Sequence, residues 1–493
     1  MHADRGRLVQ KRHITVQSMT SDLSHDPIVI SPHRDRRPGA RPMSVVRRRS
    51  LGHACFAAAL LAMLSGVAAA DSAPEPSGIW LELPVVELPF NTAHGYRVPG
   101  MQQALAISGD GYQLLHFGVE QFLDPWRTHG WTRVAAIATM SAVDVLSFRL
   151  PLFAGWQHEE AHRAILGRHG IDSRDGIYDI FQLSLKVGVT ELADDDLVRL
   201  KAADPAELVR LASAGIEANY ELATQVEKTR FFHQTRTLDA PLIIALYAVN
   251  SLYWASCVTS GPADVVQDPD VTKRDFAGLD CTSWIYDLSR PDEPYAARGP
   301  DPNSGIRRYR SADDLTSHER SYLKRQLALS FLNFLDPQVL GIDAFTLGAS
   351  TRLNANIRYE PTSFGSDASA NLMLSRGALG ALGALVTAHA YGNDGHIFPG
   401  VSAELVRYPL HLTDDVAVMV SGRLAAWQQP RGQRFATQDA DTGGLAGLRI
   451  GLPLYGIEAY ADLQVKSAGW VASEPNLGSG VTTLVGVAMP LFR

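Results

Sequence analysis

Cysteine is scarce in this chain: three in 493 residues, at Cys55, Cys257 and Cys281. None has the spacing of paired metal-ligand cysteines, which excludes a thiolate-bound zinc site. Positive charge is also missing from most of the chain. Residues 1–70 hold eleven Lys and Arg against four Asp and Glu; with −7 on the whole chain, residues 71–493 carry about −14. A body this acidic offers no basic face, and no nucleic-acid motif occurs, so a nucleic-acid partner is excluded. Long apolar runs are few. Val134 to Ala154 is interrupted by Asp144, Arg149 and Pro151. Charges inside lipid are costly, so this run reads as a buried helix. Ala240 to Val258 is more apolar, with Asn250 and Ser251 mid-way. Its hydropathy fits a membrane helix and a core helix equally.

What is present makes a chain of ordinary globular composition, 46% apolar and 20% charged, long enough for two or three domains. The N-terminus reads as an address. Arg47-Arg48-Arg49, the apolar segment Ala54 to Leu64 and Ala68-Ala69-Ala70 before Asp71 form the three parts of a signal peptide over 43–70. Residues 1–42 are then an upstream extension or a mis-called start. Export is expected. Losing Cys55 with the signal leaves Cys257 and Cys281, which in an oxidising compartment are expected to form a disulfide.

Residues 71–100, rich in Pro and β-formers, read as extended chain and as a strand added to a sheet elsewhere. Helical patterning starts near Tyr112 and runs through Gln121. A further helix follows Pro151 and stops near Gly167 or Gly170. Asp194 to Lys201 reads as a short acidic helix. Asp204-Pro205-Ala206-Glu207 is a strong start signal for a helix reaching about His233. Residues 259–315, polar and rich in Pro, Asp and Arg, read as a long loop over the surface. Ser317 to Leu335 reads as another helix.

From Ala344 onward the period changes to two. Phe345, Leu347, Ala349, Thr351, Leu353, Ala355, Ile357 and Tyr359 alternate with polar or small residues, and the same alternation returns in Val416 to Leu424 and Ala459 to Lys466. Apolar-out, polar-in runs of this length resemble the strands of outer-membrane barrels. The ending Pro490-Leu491-Phe492-Arg493 is similar to their aromatic terminus, with one extra residue. A soluble antiparallel barrel or sandwich carries the same alternation. The expected fold class is α+β and multidomain: an α-helical domain over 71–340, then an antiparallel β-barrel of about eight strands over 341–493.

The chemistry is carried by Trp156-Gln157-His158-Glu159-Glu160-Ala161-His162-Arg163, an H-E-x-x-H run. Residues four apart share a helix face, so His158 and His162 can hold one cation, with Glu159 beside it. Two imidazoles on Zn²⁺ and a carboxylate to accept a proton from water make the zincin arrangement. A third ligand is required. His169 lies about 16 Å along an unbroken helix from His158 and is rejected. The metzincin spacing also fails, with Ile165 and Arg168 where that pattern needs Gly and His.

Glu217 and Glu221, four apart on the well-capped helix, are the better candidates. Glu217-Ala218-Asn219-Tyr220-Glu221 resembles the second motif of gluzincin metallopeptidases, most closely the membrane-associated heat-shock and prenyl-protein endopeptidases. The resemblance implies Zn²⁺ held by His158, His162 and Glu217, Glu159 as the base, and Glu221 orienting an imidazole. Tyr220 or His233 is offered as an oxyanion donor by proximity. The plain alternative for both glutamates is a solvated helix face. The expected function is an exported zinc peptidase acting on a peptide or protein, anchored at the outer membrane or held in the periplasm of a Gram-negative bacterium. The alternatives are a non-enzymatic outer-membrane protein whose helices plug or cap the barrel, and a zinc hydrolase acting on another bond.

Overall fold

The computed structural model describes residues 79–93, 98–123, 130–148, 152–176, 188–233, 239–348, 350–376, 382–413 and 416–491. The expected signal peptide, Pro151 and the terminal Phe492-Arg493 lie outside these residues. In chain order come β1 (Ile79–Leu88), α1 (Phe90–Ala93), α2 (Met101–Leu123), α3 (Gly130–Leu146) and α4 (Phe153–Arg168). A two-residue pair follows, β2 (Arg174–Asp175) and β3 (Val189–Thr190). Then come α5 (Asp194–Ala203), α6 (Pro205–Phe232), α7 (Asp239–Thr259), α8 (Asp280–Leu288) and α9 (Ser317–Ser330). The chain continues through β4 (Phe345–Leu347), β5 (Thr351–Thr362), β6 (Gly365–Arg376), β7 (Leu382–Asn393), β8 (His396–His411), β9 (Ala417–Pro430), β10 (Ala440–Leu454), β11 (Ile457–Lys466) and β12 (Gly480–Leu491).

The class is α+β, with helices leading into a large antiparallel sheet. From β4 to β12 each strand pairs with the next, an antiparallel meander. Eight of these strands, β5 to β12, have ten or more residues. β1 joins the far side of β12, with Ile79 opposite Leu491 and Leu88 opposite Thr483. The sheet therefore has ten strands, in the order β1-β12-β11-β10-β9-β8-β7-β6-β5-β4. Among the described residues its two ends, β1 and β4, are not paired with each other. Pro84 sits in β1, where an end strand can do without its N–H. The change of period near 341 marks a change of secondary structure. Across it, β1 enters the sheet and Tyr359 of β5 enters the helical core.

One face of the sheet is polar and covered, and the other is apolar and exposed. In β11 the exposed positions are Ile457, Ala461, Leu463 and Val465, while Glu458, Tyr460 and Lys466 are buried between them. Leu448, Ile450 and Leu452 of β10 are also exposed, at 45–50%. Inside, Thr387 Oγ1 donates to Asn371 Oδ1 at 2.7 Å, and Asn371 Nδ2 donates to Asn356 Oδ1 at 2.9 Å.

The helices build the main apolar core. Asp204 caps α6, its carboxylate accepting from the Ala206 N–H at 3.0 Å, with Pro205 at the first helical position. Such a cap stabilises a helix by about 1 kcal/mol. α7 is long and apolar enough to cross a membrane by length and composition, yet Leu242 to Tyr247, Trp254 and Cys257 are buried in this core. The region 259–315 is not the expected surface loop. It contains α8, every residue of which is buried, and buried arginines are paired there: Arg274 with Asp301, Arg298 with Asp287, Arg308 with Asp194. Ion pairs, one of them with Asp194 far back in the chain, let a polar composition go inside, and composition alone hid this.

Candidate metal centre

α4 is buried along most of its length, including Glu159, Glu160, His162 and Arg163. Arg163 Nη1 pairs with Glu160 at 2.5 Å, and its Nη2 donates to the Ser173 carbonyl at 3.1 Å. His158 and His162 stand one turn apart, ring centroids 5.0 Å from each other. The acidic group that meets them is Asp280, at the first turn of α8. Its Oδ2 lies 2.9 Å from His158 Nε2 and 3.4 Å from His162 Nε2. One ligand atom from each of the three residues falls within 4.8 Å of the others.

Three observations test whether these residues fit a metal. His162 Nε2 is buried and makes no hydrogen bond of proper geometry, although Asp280 is within ion-pair distance. The opposite ring nitrogen, Nδ1, donates to the Leu211 carbonyl at 2.6 Å, which turns Nε2 toward the common point. Gly215 of α6 faces the same point, and a Cβ there would stand 2.4 Å from Nε2 of both histidines. No side chain but hydrogen fits. Two imidazoles and a carboxylate are donor types that could hold a divalent metal, Zn²⁺ among them.

Asp280 is held from several sides. Its N–H donates to Tyr253 Oη at 2.9 Å. The neighbouring Cys281 is bonded to Cys257 at the end of α7, Cα atoms 6.1 Å apart, as the expected disulfide. Burial would raise the Asp280 pKa, but the two imidazoles hold the carboxyl well below the usual range. Burial would lower the His162 pKa; Asp280 and the Leu211 carbonyl more than offset this and raise it. Glu159 is pushed well above the usual carboxylate range, first by burial and then by Asp175, Asp275, Asp280 and Glu160. Those causes are all one sign, and a nearby divalent charge is what would oppose them.

Glu217 does not reach this point. Successive helix residues are about 100° apart, so two residues beyond Gly215 the side chain lies about 200° round the axis. There Glu217 is fully buried and paired with Arg210, Nη2 to Oε1 at 2.8 Å. Trp470 Nε1 and the Ser473 N–H donate to its two oxygens, each at 2.9 Å. Its acceptor capacity is taken by Arg210 and by the connection between β11 and β12. Glu221 shares that face, 3.5 Å from Ser473 Oγ. The spacing of four was sound, but both glutamates face away from the histidines.

The oxyanion candidates are likewise elsewhere. Tyr220 is buried against Tyr247 and Tyr359. His233 stacks on Trp80 at 5.2 Å, its pKa pushed down to about 3 by burial and by Arg407 and Arg449. His169 ends α4, with Nε2 3.4 Å from Glu207.

A cavity of about 300 Å³ lies between the polar face of the sheet and helices α2 and α6, lined among others by Glu221, Lys228, His233, Glu404, Arg423 and Arg449. None of the three grouped ligands lines it. α6 separates the two places, giving Leu211, Gly215 and Asn219 to the histidines and Glu221, Thr224 and Lys228 to the cavity.

Asp280 was missed because α8 was read as loop. The usable signal was Asp280 followed by apolar Trp284, Ile285 and Leu288, an acidic first turn before a short apolar face. Comparison with family models, with curated proteins and with solved structures finds no match to this chain.

Proposed function

We propose that this chain is a zinc-dependent hydrolase of peptide bonds, with His158, His162 and Asp280 as the metal ligands and Glu159 as the base. The observation that carries this reading is that three donor atoms, two of them on the helix that carries Glu159, lie within 4.8 Å of one another. A zinc ion held there would supply Lewis acidity and a more acidic water. The protein's own part is to fix the imidazoles through Leu211 and Asn219, anchor Asp280 through Tyr253 and the disulfide, and take a proton on Glu159. The gluzincin resemblance then extends to the H-E-x-x-H helix, with Asp280 in the place of the downstream glutamate.

The proposal includes export and an outer-membrane sheet. Its support is the outward row of Leu448, Ile450, Leu452, Leu463 and Val465 over a polar inner face, the reverse of a sheet whose apolar side packs a core. A second reading, a bound metal that clamps α4 to α8 in a non-enzymatic membrane protein, draws on the burial of the group: His158 is 15% exposed and His162 1%. Glu159→Gln separates the two. The variant should keep its zinc and lose hydrolysis of a mixed peptide library. If the wild-type zinc form cleaves no peptide, the clamp reading stands instead.

A further inference from the structure

His158 and His162 are held from behind in different ways. His162 Nδ1 faces the Leu211 carbonyl, which can only accept, so Nδ1 must carry a proton and Nε2 is left for a cation. His158 Nδ1 faces a carboxamide. Asn219 Nδ2 lies 3.1 Å from it and 3.2 Å from Asn250 Oδ1. In that arrangement Nδ1 accepts, the imidazole proton is on Nε2, and Nε2–H donates to Asp280 Oδ2 at 2.9 Å. A histidine in this form has no lone pair to offer a metal.

The carboxamide pair has a second arrangement with the same number of hydrogen bonds to the ring and between the amides. Asn219 and Asn250 are 3% and 1% exposed, and the far atom of each, Asn219 Oδ1 and Asn250 Nδ2, has no protein partner. Turning both amides by half a turn exchanges oxygen for nitrogen without moving any position. Asn250 Nδ2 then donates to Asn219 Oδ1, and Asn219 Oδ1 accepts from His158 Nδ1–H. The same two hydrogen bonds are made between the amides and the ring; without a cation, Asp280 Oδ2 accepting from His158 Nε2–H favours the first arrangement, and a cation at Nε2 would favour the second. A pair with two such states is set by whatever binds one of them better.

We infer that Asn219 and Asn250 form a two-state carboxamide relay that decides which nitrogen of His158 is bare, and that both amides reverse when a divalent cation enters. His162 is a preset ligand; His158 becomes one only as the relay turns. The ring's proton count is unchanged: Nε2 gives its proton to solvent as the cation takes its place, and Nδ1 takes one from solvent, the His158 side chain being 15% exposed. Asn219 and Asn250 are positioning residues acting through His158. The inference rests on the metal reading above.

The test uses the full exported chain labelled with ¹⁵N-histidine, read by long-range ¹H–¹⁵N spectra with and without Zn²⁺. The His158 signals should change from the Nε2–H to the Nδ1–H pattern on zinc addition, while His162 Nδ1 stays protonated. Zinc affinity by chelator competition gives a second, independent readout. Asn219→Asp, which can only accept at Nδ1, should tighten binding. Asn250→Asp, which holds Asn219 as a donor, should weaken it by about tenfold, the lower range for groups that orient a ligand. If wild type binds no zinc, the metal reading fails and the relay with it. If zinc binds but His158 keeps one pattern, or both variants move affinity the same way, only the relay is overturned.

Discussion

Asp280 Oδ2 lies 2.9 Å from His158 Nε2, across 122 residues of chain. The contact joins the H-E-x-x-H helix to α8, a short helix whose first turn is fixed by a disulfide and by Tyr253. It sets a carboxylate beside the histidine pair, the third donor of the proposed metal site.

Gly215 keeps the space between the imidazoles open. Replacing it by Ala sets a methyl group 2.4 Å from both Nε2 atoms. Helix α6 or the rings must shift, at a cost of about 1–3 kcal/mol for such overpacking. Gly215→Ala should therefore bind zinc at least tenfold more weakly while its circular dichroism stays that of wild type. Unchanged affinity would place the metal elsewhere.

His116 gives the helical core a pH dependence. It is buried between Asp239, 2.8 Å from Nδ1, and Asp144, 3.1 Å from Nε2. Burial alone would lower its pKa, but the two carboxylates raise it to about 10. The native state thus holds a proton that the unfolded chain loses near pH 6.5. This stabilisation is complete below that value and falls as pH rises toward 10, by at most about 1.4 kcal/mol per pH unit. Denaturant titrations at pH 6, 8 and 10 should show this decline. His116→Gln should flatten it, and an unchanged slope in the variant would assign the effect to other groups.

Leu463, half exposed on the outer face of β11, distinguishes lipid from water as the surroundings of the sheet. In lipid, Leu463→Arg should cost about 2–4 kcal/mol and reduce recovery of the folded chain from the membrane fraction. In water the same exposed change should stay within about 0.5 kcal/mol. Folding titrations in lipid vesicles measure the difference, and a neutral result there would count against the membrane reading.

Much of the fold was legible in the sequence because its signals are local. The cap at Asp204, the proline at 205 and the switch from period 3.6 to period 2 near Ala344 each report on a few neighbouring residues. The H-E-x-x-H pair was legible for the same reason. What was not legible depends on contacts distant in sequence. Glu217 and Asp280 are both acidic residues on helices downstream of the motif, and which one faces the histidines is decided by the rotation of α6 about its axis. Gly215 fixes that rotation, because only its bare backbone can pass so close to His158 and His162. The partners that claim Glu217, Trp470 and Ser473, come from the connection between β11 and β12, more than 250 residues later. Residues 259–315 were misread because their arginines are neutralised by acids that pattern alone cannot pair.

The most direct measurement is the zinc content of the purified chain, wild type beside Asp280→Ala and Glu217→Ala. The expected result is about one zinc per chain in wild type, loss of it in Asp280→Ala, and retention in whatever Glu217→Ala chain folds. Removing Glu217 strands the buried Arg210 charge, so that variant should lose about 3–5 kcal/mol of stability. The opposite pattern, zinc kept without Asp280 and lost from folded Glu217→Ala, would contradict the assignment of Asp280 as the third ligand.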